Sequence, residues 1–272
     1  MRLPLFPLHT VLAPGIVLPL HVFEERYRVM VRRCLDAKAP FGIVLIRAGS
    51  EVAPPDGEAG ELAIAGVGTF AEIREASRYA DGRWDLLVVG TGRFSVREIE
   101  AGREPYLVAE VDPQLDDVGD PAAAAELMGR VGRRFVEYLH LLQPRDGEVG
   151  VPVDVQVEVE DDDDAYDDET VDDETVDDET VDDETDDAAD EDDDEGDSID
   201  SLRIPDDPSA LSFLLTGIVQ VEPDRKQVLL EAATAEERLR DLDDLLAREI
   251  DLLGRRLGLY VPDRRGLADR RN

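Results

Sequence analysis

Apolar residues along this chain follow two periods, and the change from one to the other divides it. Up to about residue 118 the spacing is short. Residues 3–8 and 16–23 are apolar runs separated by Pro14-Gly15, and they read as two strands joined by a turn. "FGIVLI" at 41–46 is a continuous apolar run of the buried-strand kind. "LAIAGVGTFAEIREA", "WDLLVVGTGRFSVREIE" and "PYLVAEVDPQ" follow as β-rich segments, with the hairpin signal Asp81-Gly82 between the first two. One helix interrupts them. In "EERYRVMVRRCLDA" at 24–37, Phe23, Tyr27, Met30, Val31 and Cys34 recur on one helical face. The spacing predicts a mostly antiparallel sheet or small barrel, with Gly66, Gly68, Gly90 and Gly92 at bulges or corners.

After Asp120 the period becomes helical. Asp120-Pro121 is an N-cap followed by proline at the first helical position, and Leu127, Val131, Phe135, Leu139 and Leu142 mark an apolar stripe behind it. Asp207-Pro208 repeats that start ahead of Leu211, Leu214, Leu215 and Ile218. Thr234 with Glu237 has the form of a capping box, and Leu239, Leu242, Leu246, Ile250, Leu253 and Leu257 follow at spacings of three and four, with Gly258 as a stop. The fold class expected is therefore α+β: an antiparallel β-domain, then a helical bundle.

The bundle is interrupted. Residues 154–200 hold 29 of the 66 acidic residues and no Lys or Arg, including three copies of "DDETV" followed by "DDETD". Repeated acidic pentads cannot build a core, so composition predicts a disordered acidic insert. The whole chain of 272 residues carries a formal charge of −37, and −8 lies outside this tract. A mildly acidic body argues against a phosphate-backbone ligand, since nucleic-acid affinity comes mainly from Lys and Arg.

The sequence lacks the common catalytic and cofactor motifs. A phosphate loop needs Gly-Lys-Ser/Thr, and neither Lys38 nor Lys226, the two lysines, sits in one. "GVGTFA" at 66–71 has the glycine spacing of a dinucleotide fingerprint but leads into a strand pattern where a helix is required. The three histidines lie far apart and Cys34 is the single cysteine, so no metal site, cofactor or disulfide is expected. Prolines break the opening apolar run and no stretch of about 18 apolar residues occurs, so neither a signal peptide nor a spanning helix is expected. That leaves a cytoplasmic protein as the expectation.

The opening residues carry a resemblance. Phe6-Pro7-Leu8, Pro14-Gly15 and the run Pro19-Leu20-His21-Val22-Phe23-Glu24-Glu25-Arg26-Tyr27 resemble the start of the Lon N-terminal domain family, the substrate-recognition domain of Lon-type proteases. The run from Val67 to Val111 is similar to the family's second signature, and 228–253 looks like its C-terminal helical part. The resemblance implies a PUA-like β-domain followed by helices, covering about 1–118 and 206–258. It also implies binding of unfolded or exposed polypeptide segments, without the ATPase and peptidase modules of full proteases.

On this reading the chain divides into a β-domain at 1–118, a first bundle helix and linker at 119–153, the acidic tract at 154–200, the remaining bundle helices at 201–258, and a flexible tail at 259–272. The function implied is a non-enzymatic polypeptide-recognition module, an adaptor in protein quality control that works with a protease or chaperone. The alternatives are an RNA-binding PUA-like protein and a regulatory partner of a separate protease. Candidate substrate-binding residues are His21, Phe23, Glu24, Arg26 and Tyr27. The ordinary reading of Glu24, Arg26 and Tyr27 is a helix start held by an ion pair.

Overall fold

The computed structural model describes residues 1–48, 63–100, 102, 104–142 and 205–260, with side chains as far as 255. Expectations for the linker after residue 142, the acidic tract and the last twelve residues lie outside the described residues.

The first strand closes a barrel. β1 (Arg2–Leu8) pairs antiparallel with β7 (Leu107–Gln114) through its first half, Arg2 opposite Glu110 to Leu5 opposite Leu107. Its second half pairs parallel with β3 (Phe41–Ala48), Leu5 opposite Gly42 to Leu8 opposite Leu45. β7 pairs with β6 (Trp84–Glu100), β6 with β5 (Val67–Arg78), and β5 with β3, so the order β1-β7-β6-β5-β3 returns to β1. Two strands lie off this ring. β2 (Val17–Val22) pairs with the first part of β6, and the two-residue β4 (Ala63–Ile64) with β3. Among the described strands, every pairing is antiparallel except that of β1 with β3.

The expected strand glycines fall where the backbone must bend or pack closely. Opposite β5, the register of β6 slips between Gly92 and Gly90, a bulge. A Cβ on Gly68 would sit 2.6 Å from the Ile43 carbonyl oxygen, so that crossing admits only glycine. The Asp81-Gly82 hairpin forms as expected. Gly82 has φ +87°, and the Arg28 guanidinium donates to its carbonyl at 2.7 Å.

The barrel core holds Leu3, Leu5, Val44, Phe94, Ala109 and Val111. A larger cluster joins Phe6, Leu12, Phe41, Ile43, Leu86 and Val88 to α1 (Glu25–Ala37), which contributes Tyr27, Met30, Val31 and Cys34. The expected helical face is thus observed with one correction. Phe23 precedes the helix and is 57% exposed, because the chain between β2 and α1 turns it outward.

Among the described residues, five helices complete an α+β fold. α2 (Pro121–Leu142) and α5 (Ala235–Tyr260) start side by side, with the Asp120 amide donating to Glu236 at 3.0 Å, and they run in the same direction. α3 (Pro208–Ile218) and α4 (Pro223–Glu231) pack across them. The caps are as the sequence requires. Asp207 accepts from the Ala210 amide at 2.7 Å, Asp120 from Ala122 at 2.9 Å, and Thr234 from Glu237 at 3.1 Å. Three details differ from expectation. α4 had no counterpart in the apolar periodicity. Tyr138, not Leu142, completes the buried stripe of α2, because Leu142 lies at the helix end. α5 runs two residues past Gly258, since a glycine within a helix costs only about 1 kcal/mol.

Between α2 and α5, buried Asp243 meets Arg130 at 2.8 Å and Arg134 at 2.6 Å, and Arg134 also donates to the Asp243 carbonyl. No described helix is long and apolar enough to cross a membrane.

Candidate functional site

β2 is an edge. Its six residues pair with β6 from Val17 opposite Val89 to Val22 opposite Trp84, and no described strand lies on its other side. A bare edge offers unpaired N–H and C=O groups to an added strand. Alternation along β2 gives it two faces. Leu18, Leu20 and Val22 turn toward the core, where Leu18 and Leu20 stay partly uncovered. Val17, Pro19 and His21 turn outward, and the exposed Phe23 follows them. Pro19 gives up no ladder bond at an edge, which explains its tolerance there.

An aromatic and charged cluster stands at the end of this edge. The His21 ring lies 6.4 Å from Phe23 and 6.2 Å from Tyr79, centroid to centroid. His21 Nδ1 is 2.5 Å from Asp85 Oδ1, and the Tyr79 hydroxyl donates to the other carboxylate oxygen. Hydrogen bonds from Tyr79 and then His21 hold the Asp85 carboxyl below its ordinary range, while the same bond pushes the Tyr79 phenol up. Arg83 pairs with Asp81 at 2.7 Å and stands over the Tyr79 ring at 5.5 Å. Phe23 and Tyr79 are the exposed aromatics here, at 57% and 45%.

The candidate residues therefore separate. His21 and Phe23 lie together on the open face. Glu24 and Arg26 pair with each other at 2.9 Å, Arg26 stands over the Tyr27 ring at 4.5 Å, and Tyr27 is 3% exposed in the core against Phe6. These three have structural surroundings. Tyr79 and Asp85 were missed. Cross-strand register would have found Asp85, which is the residue opposite His21.

A second feature joins the barrel to the helices. Arg93 of β6 and Arg238 of α5 are 2% and 1% exposed, and both approach the Phe213 ring, at 5.4 and 3.7 Å. Arg93 pairs with Asp116 at 2.7 Å and donates to the Leu230 and Ala232 carbonyls. Arg238 donates to the Leu229 carbonyl and to Ser212. Burial, then the charge of Arg93, pushes the Arg238 guanidinium down to about 10. Beside this junction a cleft of about 340 Å³ opens between Pro14, Asp116, Ala210, Phe213 and Leu214. Among the described residues no group of His, Cys, Asp and Glu could hold a metal ion.

Residues 2–248 match the family model of the ATP-dependent protease La (LON) substrate-binding domain. The chain belongs to this family. It is 28% identical over 142 residues to Lon protease 2 of Myxococcus xanthus, covering 50% of this chain and 16% of that protein. A longer match, 26% identical over 254 residues, joins it to Lon protease 2 of Herpetosiphon aurantiacus and covers 93% of this chain and 24% of that protein. The chain thus spans no more than about a quarter of these relatives.

Among solved structures, the N-terminal domain of Mycobacterium avium complex Lon protease aligns with a TM-score of 0.53 at 16% identity, over 91% of this chain and 98% of that one. The Lon N-terminal domain protein from Xanthomonas campestris aligns at 22% identity with a TM-score of 0.49, over the same shares. The fold is that of a Lon substrate-binding domain. Within it, the open β2 edge and the cleft beside Phe213 are two candidate surfaces among the described residues.

Proposed function

We propose that this chain recognises unfolded or exposed polypeptide segments, without chemistry of its own, and acts as an adaptor that presents them to a separate protease or chaperone. The observation that carries the reading is the open β2 edge, flanked by Phe23, Tyr79 and His21, in a chain of the Lon substrate-binding family. An extended client would add its backbone to β2, and its alternate side chains would meet the aromatic cluster. Such binding is tolerant of sequence because the main chain supplies most of the bonds. The acidic body supports a protein client over RNA.

A fluorescence titration with reduced, carboxymethylated α-lactalbumin tests this against a structured RNA. Saturable binding to the unfolded protein, weakened by Phe23→Ala, supports the reading. Tighter binding to RNA that falls steeply with salt would reverse it.

A further inference from the structure

β2, the first part of β6 and the last part of β5 form a three-stranded stretch of sheet, and its register assigns each side chain to one of two faces. Leu18, Leu20 and Val22 point inward beside Val88, Leu86 and Trp84, and α1 covers them with Tyr27, Met30, Val31 and Cys34. The alternate residues make the outer face. Its first row is Val17, Val89 and Glu72, and its second is Pro19, Leu87 and Glu75. His21 and Asp85 begin the third. An antiparallel sheet with one buried face ordinarily puts polar residues on the other. Here the first two rows are apolar on both β2 and β6. Val17 is 52% exposed, Pro19 is exposed, and Leu87 and Val89 are half-buried. None of these four joins a core cluster of the described residues. A contiguous apolar patch with a polar rim marks an interaction surface.

The patch has the footprint of a helix. A six-residue strand runs about 20 Å, and three strands span about 10 Å from the first to the last. A helix of about 13 residues is about 20 Å long and about 10 Å wide. The same strands already meet such a helix from the inner side, since α1 has 13 residues. A helix on the outer side would complete a third layer. The border sets the charge of that helix. Glu72 and Glu75 are both exposed and edge the two apolar rows. Glu72 meets Arg74 at 3.7 Å, and Glu75 has no ion-pair partner among the described residues. A second copy of the chain would bring the same acidic border and a net charge of −37, which opposes self-association through this face. A basic partner meets no such penalty.

We propose that the outer face of β2, β6 and β5 receives a basic amphipathic helix of a partner protein. The apolar stripe of that helix lies on Val17, Pro19, Leu87 and Val89, and its Lys or Arg residues stand over Glu72 and Glu75. The stripe supplies affinity, while the acidic border fixes orientation and partner choice. The helix meets side chains above the sheet, whereas a strand added at β2 bonds to main chain in its plane. The inference therefore does not rest on the client reading.

The test uses the full chain and a labelled synthetic peptide of about 14 residues, with leucine at helical spacing and lysine elsewhere. Binding is read by fluorescence anisotropy. Two variants are compared with the native protein after their melting temperatures are matched. V17T/L87T removes the apolar contact and keeps β-branched side chains suited to strands. E72Q/E75Q removes the border charge. The peptide is expected to bind the native chain one to one and V17T/L87T about tenfold more weakly. Affinity for E72Q/E75Q falls about threefold at low salt, with a shallower salt dependence. Equal affinity for the native chain and V17T/L87T assigns the binding to charge elsewhere on this acidic protein and overturns the proposal. Equal binding of a peptide of the same composition with leucine at every second position overturns the helical occupant. A mass that doubles with concentration in the native chain and not in V17T/L87T, read by light scattering, gives the face to a second copy and overturns the partner helix.

Discussion

Phe23 and Tyr27 stand four residues apart and meet opposite environments, one in solvent and one against Phe6 in the core. Their truncation separates binding from stability. Phe23→Ala is expected to weaken polypeptide binding by roughly 1–2 kcal/mol, as for an exposed aromatic anchor, with no change in melting temperature. Tyr27→Ala is expected to cost about 3–5 kcal/mol of folding stability, read by denaturant titration.

Cys34 gives a pH signature. Burial pushes its thiol up to about 11 from 9.0. The unfolded chain ionises first as pH rises, so the stabilising difference is intact below pH 9 and is lost between about pH 9 and 11. A shift of about two units corresponds to about 2–3 kcal/mol over that window. Denaturant midpoints measured across it should fall in the native protein, and Cys34→Ala should flatten the slope. An equal slope in both would show that other groups set it.

At the scale of elements, the junction between barrel and helices depends on Arg93. Its guanidinium satisfies Asp116 and two carbonyls at the end of α4 while Phe213 covers it. Arg93→Ala leaves a carboxylate and carbonyls without this donor and is expected to cost about 3–5 kcal/mol, read by thermal or chemical unfolding. Arg93→Lys should rescue little, because one ammonium cannot reproduce the planar fork.

Much of this arrangement was legible in the sequence because it is local. Asp207-Pro208 and Thr234 with Glu237 mark their helices through bonds made within four residues. The separation of barrel from helices follows from periodicity alone. What escaped is non-local or weakly periodic. α4 buries Gln227, Leu229 and Leu230, a short pattern with no apolar stripe. The two-sided pairing of β1 depends on strands about forty and a hundred residues away. Arg93 reads as an ordinary exposed strand arginine until α5 and Phe213 are placed on it. At the candidate site, the run at 19–27 holds exposed and buried residues side by side, and burial alone separates His21 and Phe23 from Tyr27.

For the whole molecule, charge is the dominant asymmetry. Residues 154–200 hold 29 of the 66 acidic residues and no Lys or Arg. They connect α2 to α3, and loop closure adds only about 0.6 kcal/mol per doubling of length. Deleting them should preserve the fold and leave the melting temperature unchanged or slightly higher, with any gain largest at low ionic strength. Solubility should fall with the net charge. Circular dichroism, calorimetry at two salt concentrations and a precipitation assay check these outcomes. Loss of the folded spectrum on deletion would instead make the tract part of the structure.

The pairing of β1 also sets a timetable. Leu3 and Leu5 lie in the barrel core, yet one of the two strands that flank β1 ends at Gln114. During synthesis at roughly 5–20 residues per second, β1 waits on the order of 5–20 s for its last neighbour to be made. Until then an apolar strand has left the ribosome with half its backbone bonds unmade. The barrel is completed by its earliest-made strand, so a nascent chain stalled before β7 cannot close it, however well its hairpins have formed.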